Sequence, residues 1–249
     1  MFHIVSPGRN SERFVHKHLA STLNQEYTKP YRVTWIDDAS VDDSVLSAID
    51  QPGPNDSQRH LVDWRLRANT RRLGGLHNLI ETVRSMDPED IVVICSADDY
   101  LSPFALERVE REYMDDAWLT YGQYKRSDGV MGHCRPYERG ANFRQLPFFA
   151  SHLITFKAWL FNCIDEEDLR DVDGEFYKTC ADMAFMLPML ELCETSDEMP
   201  RAHFIPDILL TYNLHDQCDH VVDRANQLRV DKRVRAQEDY RKRFSSPFT

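Results

Sequence analysis

An α/β fold with a mainly parallel sheet is the architecture this sequence predicts, on three observations. Apolar strand-like runs alternate with amphipathic stretches in the order β-α-β-α-β-α-β-α over the first 114 residues. The run Ile91-Val92-Val93-Ile94-Cys95 has no polar member, as expected of a strand buried on both faces. Two runs end in adjacent acids, Asp37-Asp38 and Asp98-Asp99, at the strand ends where open α/β sheets place their ligands.

Taken in order, residues 2–6 form a first strand, broken by Pro7-Gly8. Phe14, Val15, His18, Leu19, Thr22 and Leu23 recur at helical spacing, which predicts a helix over 11–24 capped by Asn10 or Ser11. Residues 31–36 are a second strand, and Ser40-x-x-Asp43 has the capping-box pattern of a short helix reaching about Ile49. A third strand covers 60–66, a basic glycine-containing turn covers 69–75, and a helix follows from Leu76 to Met86. After the buried run, a helix from Pro103 to Met114 opens with proline at its first position.

Beyond residue 117 the pattern changes. Trp118 to Tyr124 alternates like a strand, with a hairpin signal at Ser127-Asp128-Gly129. Residues 134–147 carry Arg135, Arg139 and Arg144 and read as a polar loop able to close over a substrate. A strand at 151–156, a short helix at 157–163, a helix at 180–194 kinked at Pro188, and strand-like pieces at 204–205 and 208–212 follow. From Val221 the chain becomes a charged helix without a clean apolar stripe, expected to lie solvated on the domain. The expected organisation is one domain over 1–220, with halves 1–103 and 104–220, and a tail over 221–249.

The 249 residues, 42% hydrophobic and 29% charged, can enclose a sizeable core. A formal charge of −11 argues against nucleic acid as partner. No stretch matches a membrane span or a signal peptide, so a soluble cytoplasmic protein is expected, with peripheral membrane association left open. Cys95, Cys134, Cys163, Cys180, Cys193 and Cys218 include no C-x-x-C pair and read as reduced thiols. His215-x-x-Cys218-x-His220 lacks a second cluster to complete a zinc site. The absence of G-x-G-x-x-G and P-loop signatures removes the main support for a dinucleotide oxidoreductase or an ATPase.

Paired acids at a strand end repel each other and invite a cation. A divalent metal carrying a phosphorylated substrate is one reading of Asp98-Asp99; capping of the helix after Ser102-Pro103 is the other.

The segments, in order over residues 3–103, resemble the GT-A glycosyltransferases of family 2. The carriers are His3-Ile-Val-Ser-Pro-Gly-Arg-Asn10, Leu19-x-x-Thr22-Leu23-Asn24-Gln25, Trp35-Ile-Asp-Asp-Ala-Ser40, Leu73-Gly-Gly-Leu-His-Asn78 and Ile94-Cys-Ser-Ala-Asp-Asp-Tyr-Leu-Ser-Pro103. The resemblance implies a Rossmann-like nucleotide-binding sheet with a small mixed acceptor-side region. It also implies inverting transfer of a hexosyl group from a nucleotide sugar, a UDP-sugar first, to a hydroxyl of a glycan or other acceptor, with Mn2+ or Mg2+. It places Ser6, Pro7, Asn10, Asp37, Asp38, Arg71, Arg72 and Asp98 at the nucleotide, Asp37 and Asp38 accepting an N–H of the base. Asp98, Asp99 and His215 would serve the metal, Asp182 would be the catalytic base, and Ser151, His152 and Trp159 would wall the acceptor. Blander roles stand beside these: helix caps for Asp37, Asp38 and Asp182, a surface histidine for His215, a core ring for Trp159. Ser96 stands where many members have an acid, Ala39 where glycine is usual, and Ala181 where a glutamate commonly precedes the base. A sugar-nucleotide nucleotidyltransferase and a degenerate domain that binds without turnover are the competing readings.

Overall fold

The computed structural model describes residues 1–194, 201–216 and 224–243. Its first half alternates as expected: β1 (Phe2–Gly8), α1 (Glu12–Leu23), β2 (Tyr31–Asp37), α2 (Ser44–Ile49), β3 (Val62–Ala68), α3 (Gly75–Arg84) and β4 (Ile91–Ile94). The second half holds β5 (Tyr100–Leu101), α4 (Ala105–Met114), β6 (Leu119–Arg126), β7 (Ile154–Lys157), α5 (Ala158–Asn162), α6 (Ala181–Cys193), β8 (Ala202–Tyr212), α7 (Arg224–Ala236) and α8 (Tyr240–Arg243). All strands join one sheet in the order β3-β2-β1-β4-β7-β6-β8-β5. β3, β2, β1 and β4 are mutually parallel. β7 then runs antiparallel to β4 and β6, so the sheet becomes mixed on the side built by the second half.

Register sets where the site falls. Gly8 pairs with Asp37, and the Ala97 N–H donates to the Pro7 carbonyl at 3.1 Å, so β1, β2 and β4 finish at one level. Helices cover both faces. Ile4, Val33, Trp35 and Val93 pack against α1, α2 and α4, whereas Val5, Ile36 and Val92 pack against α3, α5 and α6. α6 is buried from Met183 to Cys193 on every side, including Pro188, and forms the centre of the second core.

Four local readings differ. Helix α2 starts at Ser44: the Ser40 oxygen that a cap would use accepts the Asn10 N–H at 2.8 Å, while its hydroxyl and N–H both donate to Asp37. Helix α4 starts at Ala105, two residues after Pro103. The two late strand pieces are one strand, β8, with a register shift opposite Gln123 where Pro206 and Asp207 bulge out; Pro206 has no N–H to give the ladder. The two-residue β5, antiparallel to β8, lay below the length at which a pattern can be read.

The C-terminal helices are pinned to the core. Arg144, 6% exposed, forms a fork with fully buried Glu191 at 2.6 and 2.8 Å and donates to the Val234 carbonyl at 2.7 Å. Glu191 also accepts the Tyr240 N–H at 2.9 Å, and Val230, Val234 and Tyr240 are buried.

Arg144→Met leaves the Glu191 charge buried and unpaired, so a loss of roughly 3–5 kcal/mol is expected in urea unfolding, with part of it recovered in Arg144→Met/Glu191→Met. A second expectation concerns pH. Burial, helped by Arg32 and Arg65, pushes the His3 imidazole from 6.5 down to about 3, where it pairs neutral with Thr34 at 2.7 Å. Its folded value is lowered, so the unfolded chain holds the extra proton between pH 6.5 and about 3. This contribution is complete above pH 6.5 and is lost as pH falls, by up to about 1.4 kcal/mol per pH unit. His3→Gln should flatten the stability–pH curve across that window; parallel curves would exclude the assignment.

Candidate active site

A cleft of about 480 Å³ opens at the shared C-terminal level of β1, β2 and β4. Pro7, Gly8 and Asn10 come from the end of β1, Asp38 and Arg72 to Gly75 from the β2 side, and Ser96, Asp98 and Asp99 from the β4 side. Tyr212 at the end of β8, His215 after it, and Glu175 and Lys178 before α6 also line it. Close packing under the cleft demands glycine at position 8, where a Cβ would lie 2.3 Å from that of Ala97.

On the β2 side, Asp38 is a hub. One carboxylate oxygen accepts the Leu73 N–H at 2.8 Å and the side-chain amides of Asn69 and Asn78 at 3.0 Å each, and the other accepts the Gly74 N–H at 2.8 Å. Burial pushes its pKa up, but these four donors prevail and hold it below the usual carboxylate range. Asp38 therefore builds the turn leading into α3, and most of its accepting capacity is already spent. Asp37 is buried and turned to Ser40; it does not line the cleft. Ala39 between them has φ 56, a left-handed conformation that explains why glycine is the commoner residue there.

The β4 side holds the opposite kind of acid. Asp99 is 1% exposed, and burial, with Asp98 beside it, raises its pKa well above the usual range. The backbone fixes it: Oδ1 accepts the Asn213 N–H at 2.8 Å, and its carbonyl accepts from His18 Nδ1 at 2.8 Å. Burial lowers the His18 pKa to about 4, keeping that ring neutral as a one-proton donor. Asp98 Oδ2 lies 2.8 Å from His215 Nε2, and the Phe14 ring backs His215 at 4.9 Å between centroids. Asp98, His215 and the Ser96 hydroxyl form an open oxygen and nitrogen set beside a crowded pair of acids. Among the described residues no three His, Cys, Asp or Glu side chains close into a metal cage. Such an open set suits a hard divalent cation whose remaining ligands are substrate phosphates. Cys218 and His220 lie outside the described residues.

Asp182 sits in the first turn of α6, after Cys180 at φ 50, and its Oδ1 accepts the Met183 N–H at 2.9 Å. Burial raises its pKa, and nearby His152 opposes that rise. Burial lowers the His152 pKa, opposed by the charges of Asp182 and then Asp98, so the imidazole lies within electrostatic reach of both acids. His152 stacks on Tyr212, which lines the cleft, at 5.6 Å and 23°, and its buried Nδ1 has no hydrogen-bond partner. Asp182 itself does not line the cleft.

Of the residues singled out in the sequence, Pro7, Asn10, Asp38, Arg72, Asp98, Asp99 and His215 line one cleft, with His152 and buried Ser151 behind it. Ser6 is fully buried in β1 and does not line it. Arg71 is exposed and absent from the lining. Trp159 is elsewhere: its N–H donates to the Pro88 carbonyl, before the start of β4, and its ring packs on Trp118 at 5.0 Å, so it belongs to the core at the far end of the sheet. Arg9, Phe14, Glu175, Lys178 and Tyr212 line the cleft without having been picked out as site residues.

The model of Glycosyl transferase family 2 matches residues 3–183. The chain belongs to that family. Its solved neighbours share the GT-A glycosyltransferase fold. The 1–349 piece of S. aureus TarS, crystallised with UDP, superposes with a TM-score of 0.64 at 14% identity, over 97% of this chain and 68% of that one. A mannosyltransferase from Pyrobaculum calidifontis in complex with GDP-Man and Mn2+ gives 0.63 at 20% identity, over 96% and 65%. Longer TarS gives 0.62 at 14%, and this glycosyltransferase domain spans only 38% of that chain. Curated protein sequences give no match. Among the described residues no helix is long and apolar enough to cross a membrane.

Asp38→Ala in this family 2 domain orphans four donors, and a loss of roughly 2–4 kcal/mol is expected in denaturant unfolding. Unchanged stability would show that the turn before α3 holds itself.

Proposed function

We propose that this protein transfers a hexosyl group from a nucleoside diphosphate sugar, a UDP-sugar first, to an acceptor hydroxyl with inversion at the anomeric carbon. The observation that carries the reading is the convergence of Asp38, Asp98, Asp99, His215 and Arg72 on one cleft; Asp182 acts electrostatically on His152, whose ring stacks on cleft-lining Tyr212. UDP is favoured because TarS has been crystallised with UDP and UDP-GlcNAc; the archaeal mannosyltransferase, with GDP-Man, makes GDP the alternative to test. In this reading residues 1–103 bind the donor, 104–220 receive the acceptor, and the tail over 221–249 is an addition to that domain, its helices α7 and α8 packed on it. The protein would work in the cytoplasm.

Asp182 takes the acceptor hydroxyl proton. The acceptor oxygen bonds to the anomeric carbon as the bond to phosphate breaks, and that electron pair stays on the nucleoside diphosphate. The raised pKa of Asp182 makes it a stronger base once ionised, and His152 favours the ionised form. Asp98 and His215, with Asp99 behind them, would hold Mn2+ or Mg2+, which supplies positive charge to the diphosphate. His152 and Ser151 would wall the acceptor. Ser96 and Ala181, each standing where relatives commonly have an acid, favour a second reading, a domain that binds nucleotide without turnover.

Thermal shift with UDP and GDP, with and without Mn2+, should give its largest rise with UDP plus metal. With a UDP-sugar and an acceptor panel, released UDP should mark turnover. Asp182→Asn should lower it by about 10²–10⁴ while donor affinity stays within about twofold. Binding without any UDP release would select the second reading.

A further inference from the structure

The protein is acidic, with a formal charge of −11, and most of its arginines reach a carboxylate. Three cations lining the cleft are exceptions. Arg9, Arg72 and Lys178 have no carboxylate, hydrogen-bond or ring partner among the described residues. Resting cations on an acidic protein usually pair with nearby acids, and here Glu175, Asp98 and Asp38 line the same cleft. Side chains left unpaired in such company are available to an anion that enters the cleft.

Two of the three come from opposite halves. Arg9 lies in the turn between β1 and α1, beside Gly8 and Asn10; Lys178 lies four residues before Asp182, in the loop leading into α6. Both are exposed, so each side chain can swing without disturbing the fold. The same cleft is lined by Asp98, whose carboxylate charge opposes an entering anion unless cations offset it.

We propose that Arg9 and Lys178 are phosphate-contacting residues that grip the diphosphate of the nucleotide from the two halves of the domain. This rests on the nucleotide-sugar reading and adds to it two residues not picked out as site residues in the sequence. When the sugar leaves, the electron pair of the broken bond stays on a phosphate oxygen. A Lys178 ammonium at that oxygen stabilises the transition state more than the ground state. Arg9, with its planar fork, suits two phosphate oxygens at once.

Isothermal titration of the full chain with uridine and with UDP, in EDTA, tests this without recourse to activity. Arg9→Gln and Lys178→Gln should each weaken UDP by about tenfold and leave uridine within about twofold, and Lys178→Arg should restore most of the loss. The salt dependence of UDP binding should become shallower in both variants. Melting temperatures should match wild type, since neither side chain has a contact to lose. UDP binding unchanged in both variants, or uridine weakened in parallel with UDP, would overturn the assignment and leave the nucleotide-sugar reading standing. Wild-type protein that binds neither UDP nor GDP, with or without Mn2+, would remove that reading itself.

Discussion

One carboxylate holds the β2 side of the cleft together. Asp38 directly follows β2 and gathers hydrogen-bond donors from Asn69, Leu73, Gly74 and Asn78, so a strand end, a turn and the start of α3 share a single acceptor. Buried polar hubs of this kind are stable only when every partner is satisfied. Its consequence is geometric: the turn from Arg72 to Gly75 is fixed at the cleft's edge, at the level where β1 and β4 also end.

The acids on the other side obey the opposite logic. Asp98 and Asp99 are adjacent, one of them buried, and the fold holds them in place at an energetic cost. His18 from α1, Asn213 after β8 and the pairing of Asp98 with His215 supply that restraint from three separate parts of the chain. A fully bonded carboxylate after β2 and a crowded pair of acids after β4, with β1 between the two strands, thus face one cleft.

The parallel half was legible because period and burial coincide: a parallel strand covered on both faces has an unbroken apolar run, and its end marks the ligand level. The acids of the cleft were legible for the same reason. What escaped depended on competition or direction. Ser40 matched a capping pattern, but its oxygen accepts the N–H of Asn10, a residue thirty positions away, in place of a helix N–H. Arg71 and Arg72 are neighbours in a turn, and only the backbone path decides which one faces the cleft. Trp159 follows an antiparallel strand, so it emerges at the end of the sheet away from the site. Lys178 sits in a polar loop with no period to place it.

The C-terminal helices show why a charged segment without a clean stripe can still be part of a core. Only Val230, Val234 and Tyr240 are buried there, too few to make a pattern. Directional bonds make up the difference. Arg235 donates to the carbonyls of Arg144 and Leu146 at 3.1 and 2.7 Å, and Arg241 donates to that of Ala141 at 3.1 Å and to Glu194 at 2.8 Å. These bonds hold the loop segment from Ala141 to Leu146. The family match ends at residue 183, so α7 and α8 lie beyond it and yet brace that segment. The loop over 134–147, read from the sequence as able to close over a substrate, is anchored along its length: Gln123 donates to the Cys134 carbonyl at 3.3 Å, the Tyr137 N–H to the Tyr121 hydroxyl at 3.1 Å and the Gly140 N–H to Glu194 at 3.0 Å.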